Sequence, residues 1–283
     1  MIVGGVLILS VSVIGVLGQM PPFGPMPPSG PMPPPGPPSV PPSFSYISGK
    51  GSELLGIDRT GIVHRLVNGV WAALPQSVPT GPLNARYMSD KAVTVGASPD
   101  GWHHMCTQTG DIFRFNPISN GWELAYDISD CVQINAMSKN TAVAIQSENG
   151  DSGNVLQFNG TLAFDRWSTI DIDSHYHNVQ VFRSSKWVSV GEDGEIWSIS
   201  SKGQVFRFNT ATNNFDGIPI LNALTLDVRN ASYATVVTAD CKAWTFNSGT
   251  WTKWHISTCP VQTTSNNNND YYLDGRGRFG SRN

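Results

Sequence analysis

Two short runs gather side chains that could do chemistry. Trp102, His103 and His104 stand together in "DGWHHM", and His175, Tyr176 and His177 in "SHYHN". Indole and phenol rings offer flat apolar faces that stack on the C–H faces of sugars, while polar groups in loops supply the hydrogen bonds. Both runs break the regular pattern of the chain, as ligand-binding loop residues do. Metal is the rival reading. In "HYH" two imidazoles share one face of a strand, yet no third ligand is identifiable, and the four cysteines lack C-x-x-C spacing. Asp171 and Asp173 form an i, i+2 pair with no matching acid elsewhere, which leaves a glycosidase reading weak. No G-x-S-x-G elbow, P-loop or H-E-x-x-H occurs. No metal or other cofactor is expected.

The pattern these runs interrupt is a repeat. "GIVHRL" at Gly61, "GDIFRF" at Gly110, "GNVLQF" at Gly153, "GQVFRF" at Gly203 and "CKAWTF" at Cys241 are five copies of one motif. Ile112, Phe113, Arg114 and Phe115 alternate with period two, the signature of a strand with two distinct faces. An Asn-, Gly- or Thr-rich turn follows each copy, then an aromatic residue: Trp71, Trp122, Trp167, Phe215 and Trp251. Another alternating run precedes each copy, so a unit reads strand, turn, strand, turn, strand. Units of about 43 residues are the length of a four-stranded propeller blade. The expectation is an all-β propeller of about five blades over residues 44–259. The fourth strand is least clear, with "YMSDKAVTVGA" and "HYHNVQVF" as candidates, and Phe44 to Ile47 is a candidate to complete the last blade. Recurring at fixed phase, the four Trp residues are expected to pack between blades. Arg65, Arg114 and Arg207 are expected to bridge neighbouring blades.

The remainder of the chain speaks to compartment. Residues 1–18 are apolar and uncharged, with Val16 and Gly18 at the −3 and −1 positions of a cleavage site, which predicts a secretory signal peptide. The alternative is an uncleaved anchor, since no Lys or Arg precedes the run. No second hydrophobic run predicts a membrane span after cleavage. Residues 19–43 hold 13 of the 20 prolines. Repeated Pro fixes φ and removes N–H donors, so an extended linker is expected, with docking to extracellular proteins as its functional alternative. Cys106, Cys131, Cys241 and Cys259 are even in number, as disulfides in a secreted chain require. Three pairings are open, and their positions favour two local pairs, each within a blade. Asn159 and Asn230 head N-x-[ST] sequons, plausible glycosylation acceptors. The polar residues 260–283 are expected to be a disordered tail. A net charge of −3 with no basic excess argues against nucleic acid.

"VGEDGEIWSISSKGQVFRF", Val190 to Phe208, resembles the tectonin-type β-propeller repeat, in which a V-G-x-x-G-x-I/V-W-x-I/V strand leads into a G-x-I/V-F/Y-R-F strand. "VTVGASPDGWHHMCTQTGDIFRF" matches well, and the third and fifth copies are degenerate. That family commonly carries six blades, against the five units read here. The resemblance implies binding rather than catalysis. Tectonin-type domains occur in secreted lectins of the tachylectin-1 and fish-egg-lectin kind, which recognise sugars on microbial surfaces, including lipopolysaccharide, in innate immunity. The implied function is a secreted, non-enzymatic carbohydrate-binding protein, several weak sites on one body adding avidity. The alternative is an extracellular matrix protein that uses the propeller for protein contacts.

Overall fold

The computed structural model describes residues 42–75, 91–125, 130–147, 153–159, 166–169, 185–212, 214–267 and 269–282, all within one unit spanning Pro41–Asn283. The expected signal peptide, residues 19–41 of the Pro-rich segment, and His175, Tyr176 and His177 lie outside the described residues.

Every element among the described residues is a strand, and these strands fall into six consecutive antiparallel groups. The first is β1 (Phe44–Lys50), β2 (Glu53–Asp58), β3 (Val63–Val67) and β4 (Val70–Ala73). The second is β5 (Ala92–Gly96), β6 (His104–Thr107), β7 (Ile112–Asn116) and β8 (Gly121–Leu124). The third is β9 (Cys131–Ser138), β10 (Thr141–Ser147), β11 (Gly153–Asn159) and β12 (Arg166–Thr169). The fourth is β13 (Ser185–Val190), β14 (Ile196–Ser200), β15 (Val205–Asn209) and β16 (Asn214–Ile218). The fifth is β17 (Ala223–Asn230), β18 (Tyr233–Thr238), β19 (Lys242–Asn247) and β20 (Thr250–Lys253). The sixth holds three strands, β21 (Pro260–Ser265), β22 (Asp270–Asp274) and β23 (Phe279–Ser281). A single pair, Gly153 with Ser185, joins the third and fourth groups into one sheet. The first strand of each group packs against the first strand of the next, and β21 packs against β1. The ring thus closes by packing between groups, not by a sheet closed on itself.

Two expectations are corrected here. Residues 260–281 are the sixth group rather than a disordered tail. Their period is two, with Tyr271 and Leu273 buried against Phe44, Ile47 and Leu54 of the first group. "GRFGS" is a short sixth copy of the motif, with Gly277 in its first place. Phe44 to Ile47 begins the first group instead of completing the last, whereas "AVTVG", a candidate for the remaining fourth strand of a unit, is such a strand, the first of the second group.

The motif glycine has a double task. Gly61, Gly110, Gly203 and Gly277 all have φ between 77° and 89°, a region that suits a residue without Cβ. Each carbonyl also accepts a hydrogen bond from the first strand of the next group: Ala92 N to Gly61 O, Cys131 N to Gly110 O, Ala223 N to Gly203 O, and Phe44 N to Gly277 O, at 2.9–3.2 Å. That approach leaves no space for a side chain; a Cβ on Gly110 would lie 2.5 Å from Asp130 N. The fifth copy departs for a reason. Its partner strand begins with Pro260, which has no N–H to donate. Cys241 takes the glycine's place at φ 60° and forms a disulfide with Cys259 instead.

Both disulfides are the local pairs, Cys106–Cys131 and Cys241–Cys259. Each joins two groups, second to third and fifth to sixth, rather than lying within one blade. The repeat was cut at the motif, which hid that the residue just past a unit belongs to its neighbour. The Trp expectation holds for the described side chains. Trp122 is buried with Val63 and Leu74 of the first group, Trp251 packs with Trp197 of the fourth, and Trp71 meets Phe279 of the sixth at 5.3 Å. The arginines bond mainly within their own sheets. Arg65 makes two 2.6 Å bonds to Glu53, Arg207 pairs with Glu195, and Arg114 lies 3.8 Å from Glu123. Arg114 alone of the three also reaches a neighbour, at Lys139 O. Arg114 pairs with the residue directly opposite on the adjacent strand, and Arg65 and Arg207 with the diagonal one, both within reach of a long side chain.

Candidate functional site

Strand edges govern what the ring can do. The first strand of each group is an edge strand facing the axis, and its unpaired N–H groups need partners. Polar side chains from the preceding group supply them. Ser48 Oγ accepts from Ala97 N, Asn135 Oδ1 from Val190 N, Ser189 Oγ from Val228 N, Asp227 Oδ2 from Ser265 N, and Thr264 Oγ1 from Gly49 N, at 2.5–3.3 Å. All five acceptors occupy the fifth place of their strand, counted from its first residue. The sixth such place is Gly96, where the backbone of Ala136 lies too close for a Cβ, and this junction carries the Cys106–Cys131 disulfide. Two places earlier, Gln133 Oε1 accepts from Val188 N and Gln262 Oε1 from Ile47 N.

One end of the axis is built from bulges. In every group the pairing of the first strand skips its second residue: Ser45, Val93, Val132, Lys186, Leu224 and Val261. A bulge leaves its extra residue unpaired and turned out of the ladder. Six bulges at one level place these residues around the mouth of the ring. Val93, Leu224 and Val261 are 39%, 41% and 39% exposed. Just below, Tyr46 stacks on Trp187 with ring centres 5.8 Å apart, and Trp187 donates its indole N–H to Leu226 O. Burial pushes the Tyr46 hydroxyl far above its ordinary pKa, so it stays a neutral donor. These rings floor the mouth.

The residues picked out in sequence lie elsewhere. Trp102 sits in the turn between β5 and β6, at the opposite end, half-buried beneath the Lys139 ammonium 4.2 Å from its ring centre. His103 and His104 are fully buried and cannot touch a surface ligand. His103 Nδ1 accepts from Ser98 N, and its ring stacks on Phe115. Its Nε2 lies 3.7 Å from Glu53, whose carboxylate is committed to Arg65. Neither nitrogen of His104 has a hydrogen-bond partner among the described residues. Burial, then the charges of Arg65 for His103 and Arg114 for His104, pushes both imidazoles down to about 3. The Asp-Gly of the tectonin-like motif is structural too. Asp100 Oδ2 accepts from Lys139 N and Asp193 Oδ2 from Ala231 N, each tying a turn to the next group. The backbone of both sequon asparagines lies at the same far end. Asn230 ends β17, and Asn159 ends β11 opposite Thr141, itself paired with Ser138 at the end of β9.

The mouth was missed because its six residues share no side-chain type: four are aliphatic, one is Ser45 and one is Lys186. The available signal was the aligned run of first strands, "FSYISGK", "AVTVGAS", "CVQINAM", "SKWVSVG", "ALTLDVR" and "PVQTTSN", in which the second place breaks the alternation.

No protein-family model matches the chain, and no curated protein matches it in sequence. Solved structures match in fold. YCF48 bound to a D1 peptide superposes with TM-score 0.55 and 14% identity, over 84% of this chain and 78% of that one. The nidogen/laminin complex gives 0.55 and 14%, over 78% and 85%. The Cps50 (Swd1) β-propeller domain of Myceliophteria thermophila gives 0.55 and 8%, over 86% and 96%. At such identities the likeness establishes the fold, and the chain is a β-propeller repeat protein. Its two disulfides are consistent with an extracellular protein, and no helix among the described residues is long and apolar enough to cross a membrane.

Proposed function

We propose that the chain is a secreted, non-catalytic propeller of six blades that binds another extracellular protein at the mouth of its ring. The three exposed aliphatics among the six bulged residues, Val93, Leu224 and Val261, carry this reading. Exposed apolar side chains around a rigid rim suit a protein segment, which would bury the two valines and the leucine on contact. Two further observations support it. The backbone of Asn159 and of Asn230 lies at the far end, and glycans attached there would leave the mouth clear. Two fold neighbours are described in contact with a peptide and with laminin. The test is a photo-crosslinking residue placed at Leu224, in the mouth, or at Ile118, on the outer rim, in the native extracellular fluid. Discrete adducts from position 224 and none from 118 support the reading. Equal labelling from both sites contradicts it.

A carbohydrate reading rests on Trp102, the half-exposed indole in a loop run that breaks the repeat. Here the Lys139 ammonium and the Arg114 guanidinium lie 4.2 and 5.3 Å from the indole ring centre, cations that could donate to a sugar of lipopolysaccharide type bound beside the ring. A glycan array decides it. Saturable binding lost in Trp102→Ala establishes a lectin, and a blank array from folded protein leaves the mouth as the binding site.

A further inference from the structure

At the end opposite the mouth, one side chain crosses the ring. Lys50 is the last residue of β1, yet its Nζ donates to Val190 O of β13 at 2.7 Å and to Val228 O of β17. β13 lies directly across the ring from β1 in the order in which the first strands pack. The ammonium is 0% exposed and lies 3.8 Å from Asp227 Oδ1. The carboxylate is held in turn by the Ser189 and Thr264 hydroxyls and by Ser265 N. The turn after Lys50 is pinned to the fourth group, Gly51 N donating to Glu192 Oε1 at 2.7 Å. Ser98, Met137, Gly191, Arg229 and Asn266 hold the equivalent place in the other groups, so this contact is made once.

Two main-chain carbonyls and a carboxylate converging on one buried point are a hard-oxygen donor set, the kind that holds a bare cation. Burying an ammonium without such a set would be strongly unfavourable. We propose that this end of the axis is a cation site that the chain fills with its own lysine, and that shortening Lys50 opens it to a free monovalent cation. The ring is then locked by a tethered charge, and its stability needs no metal.

The experiment compares thermal midpoints of the full chain and of Lys50→Ala in methylammonium, potassium and tetramethylammonium chlorides. Lys50→Ala is expected to melt below the parent and to recover with methylammonium or potassium along a saturable curve. Tetramethylammonium is too large for the site and controls for ionic strength. The parent is expected to respond to none of them. Equal recovery in all three salts, or recovery in none, overturns the proposal. Lys50→Met replaces the stem without the charge and is expected to be destabilised and indifferent to salt; a variant as stable as the parent also overturns it. In the Lys50→Ala background, Asp227→Asn should raise the half-saturating cation concentration at least tenfold. If Lys50→Ala does not fold in dilute buffer, refolding yield in the same three salts is read against the same outcomes.

Discussion

His103 and His104 show how burial alone can reassign a residue. Both imidazoles are neutral in the fold, with pKa values of about 3 against an ordinary 6.5. An unfolded chain takes up those protons as the pH falls through about 6.5, while the folded chain refuses them until about 3. The two histidines therefore stabilise the fold fully above pH 6.5 and lose that contribution progressively between 6.5 and 3. A series of thermal midpoints should fall across this window. His104→Leu, which removes a ring whose nitrogens have no partner, should flatten part of the fall. A midpoint in His104→Leu that follows the parent at every pH would show that His104 is not the group responsible. Gly110 is the second residue-scale case. Gly110→Ala must place a Cβ at φ 86° and 2.5 Å from Asp130 N, and positive φ alone costs about 1–3 kcal/mol. Urea unfolding should show at least that loss, whereas Gly69→Ala, with open space around it, should lose only the conformational part.

At the scale of elements, the junctions between groups differ in kind. Five are filled by apolar clusters, but the described residues of the junction between β17–β20 and β21–β23 form no such cluster. There Tyr233 donates to Asp270, Arg282 donates to Thr245 and Asp270, and Trp254 donates to Thr245. Here the disulfide replaces the glycine hydrogen bond as well. Replacing Cys241 and Cys259 by serine should cost about 3 kcal/mol and release amide protection in Val261 to Ser265 before the rest of the ring. Uniform loss of protection would show that this junction has no separate weakness. The sequence made the middle strands legible because "IFRF" and "VFRF" alternate cleanly. The first strands were obscure, since their bulges break the period at the second place and their polar residues, such as Asn135 and Asp227, read as surface positions. They are buried acceptors for a neighbour's edge. Asn135→Leu should therefore cost about 1–3 kcal/mol by stranding the N–H of Val190, a loss visible in chemical denaturation.

At the scale of the molecule, the ring needs its last group. Residues 260–281 look polar because β21 contributes Gln262, Thr263, Thr264 and Ser265 to a polar seam, and only Tyr271, Leu273 and Phe279 mark the hydrophobic face. A chain ending at Cys259 should fail to fold cooperatively, since β1 would lose the partners of Ile47 N and Gly49 N together with its apolar neighbours. Cooperative melting of that truncated chain at the parent temperature would show the group to be dispensable. Closure of the ring also explains why two ends with different chemistry arise from one repeat. The bulges open one end, and Lys50 fills the other. The most direct measurement of the central claim is the affinity of the protein partner recovered by crosslinking for three forms of the chain. Val93→Asp/Leu224→Asp/Val261→Asp should weaken binding at least about tenfold, as charge in the core of an interface does, while Trp102→Ala binds like the parent. Undiminished binding by the triple variant, or loss of binding in Trp102→Ala alone, would contradict the assignment of the mouth as the binding site.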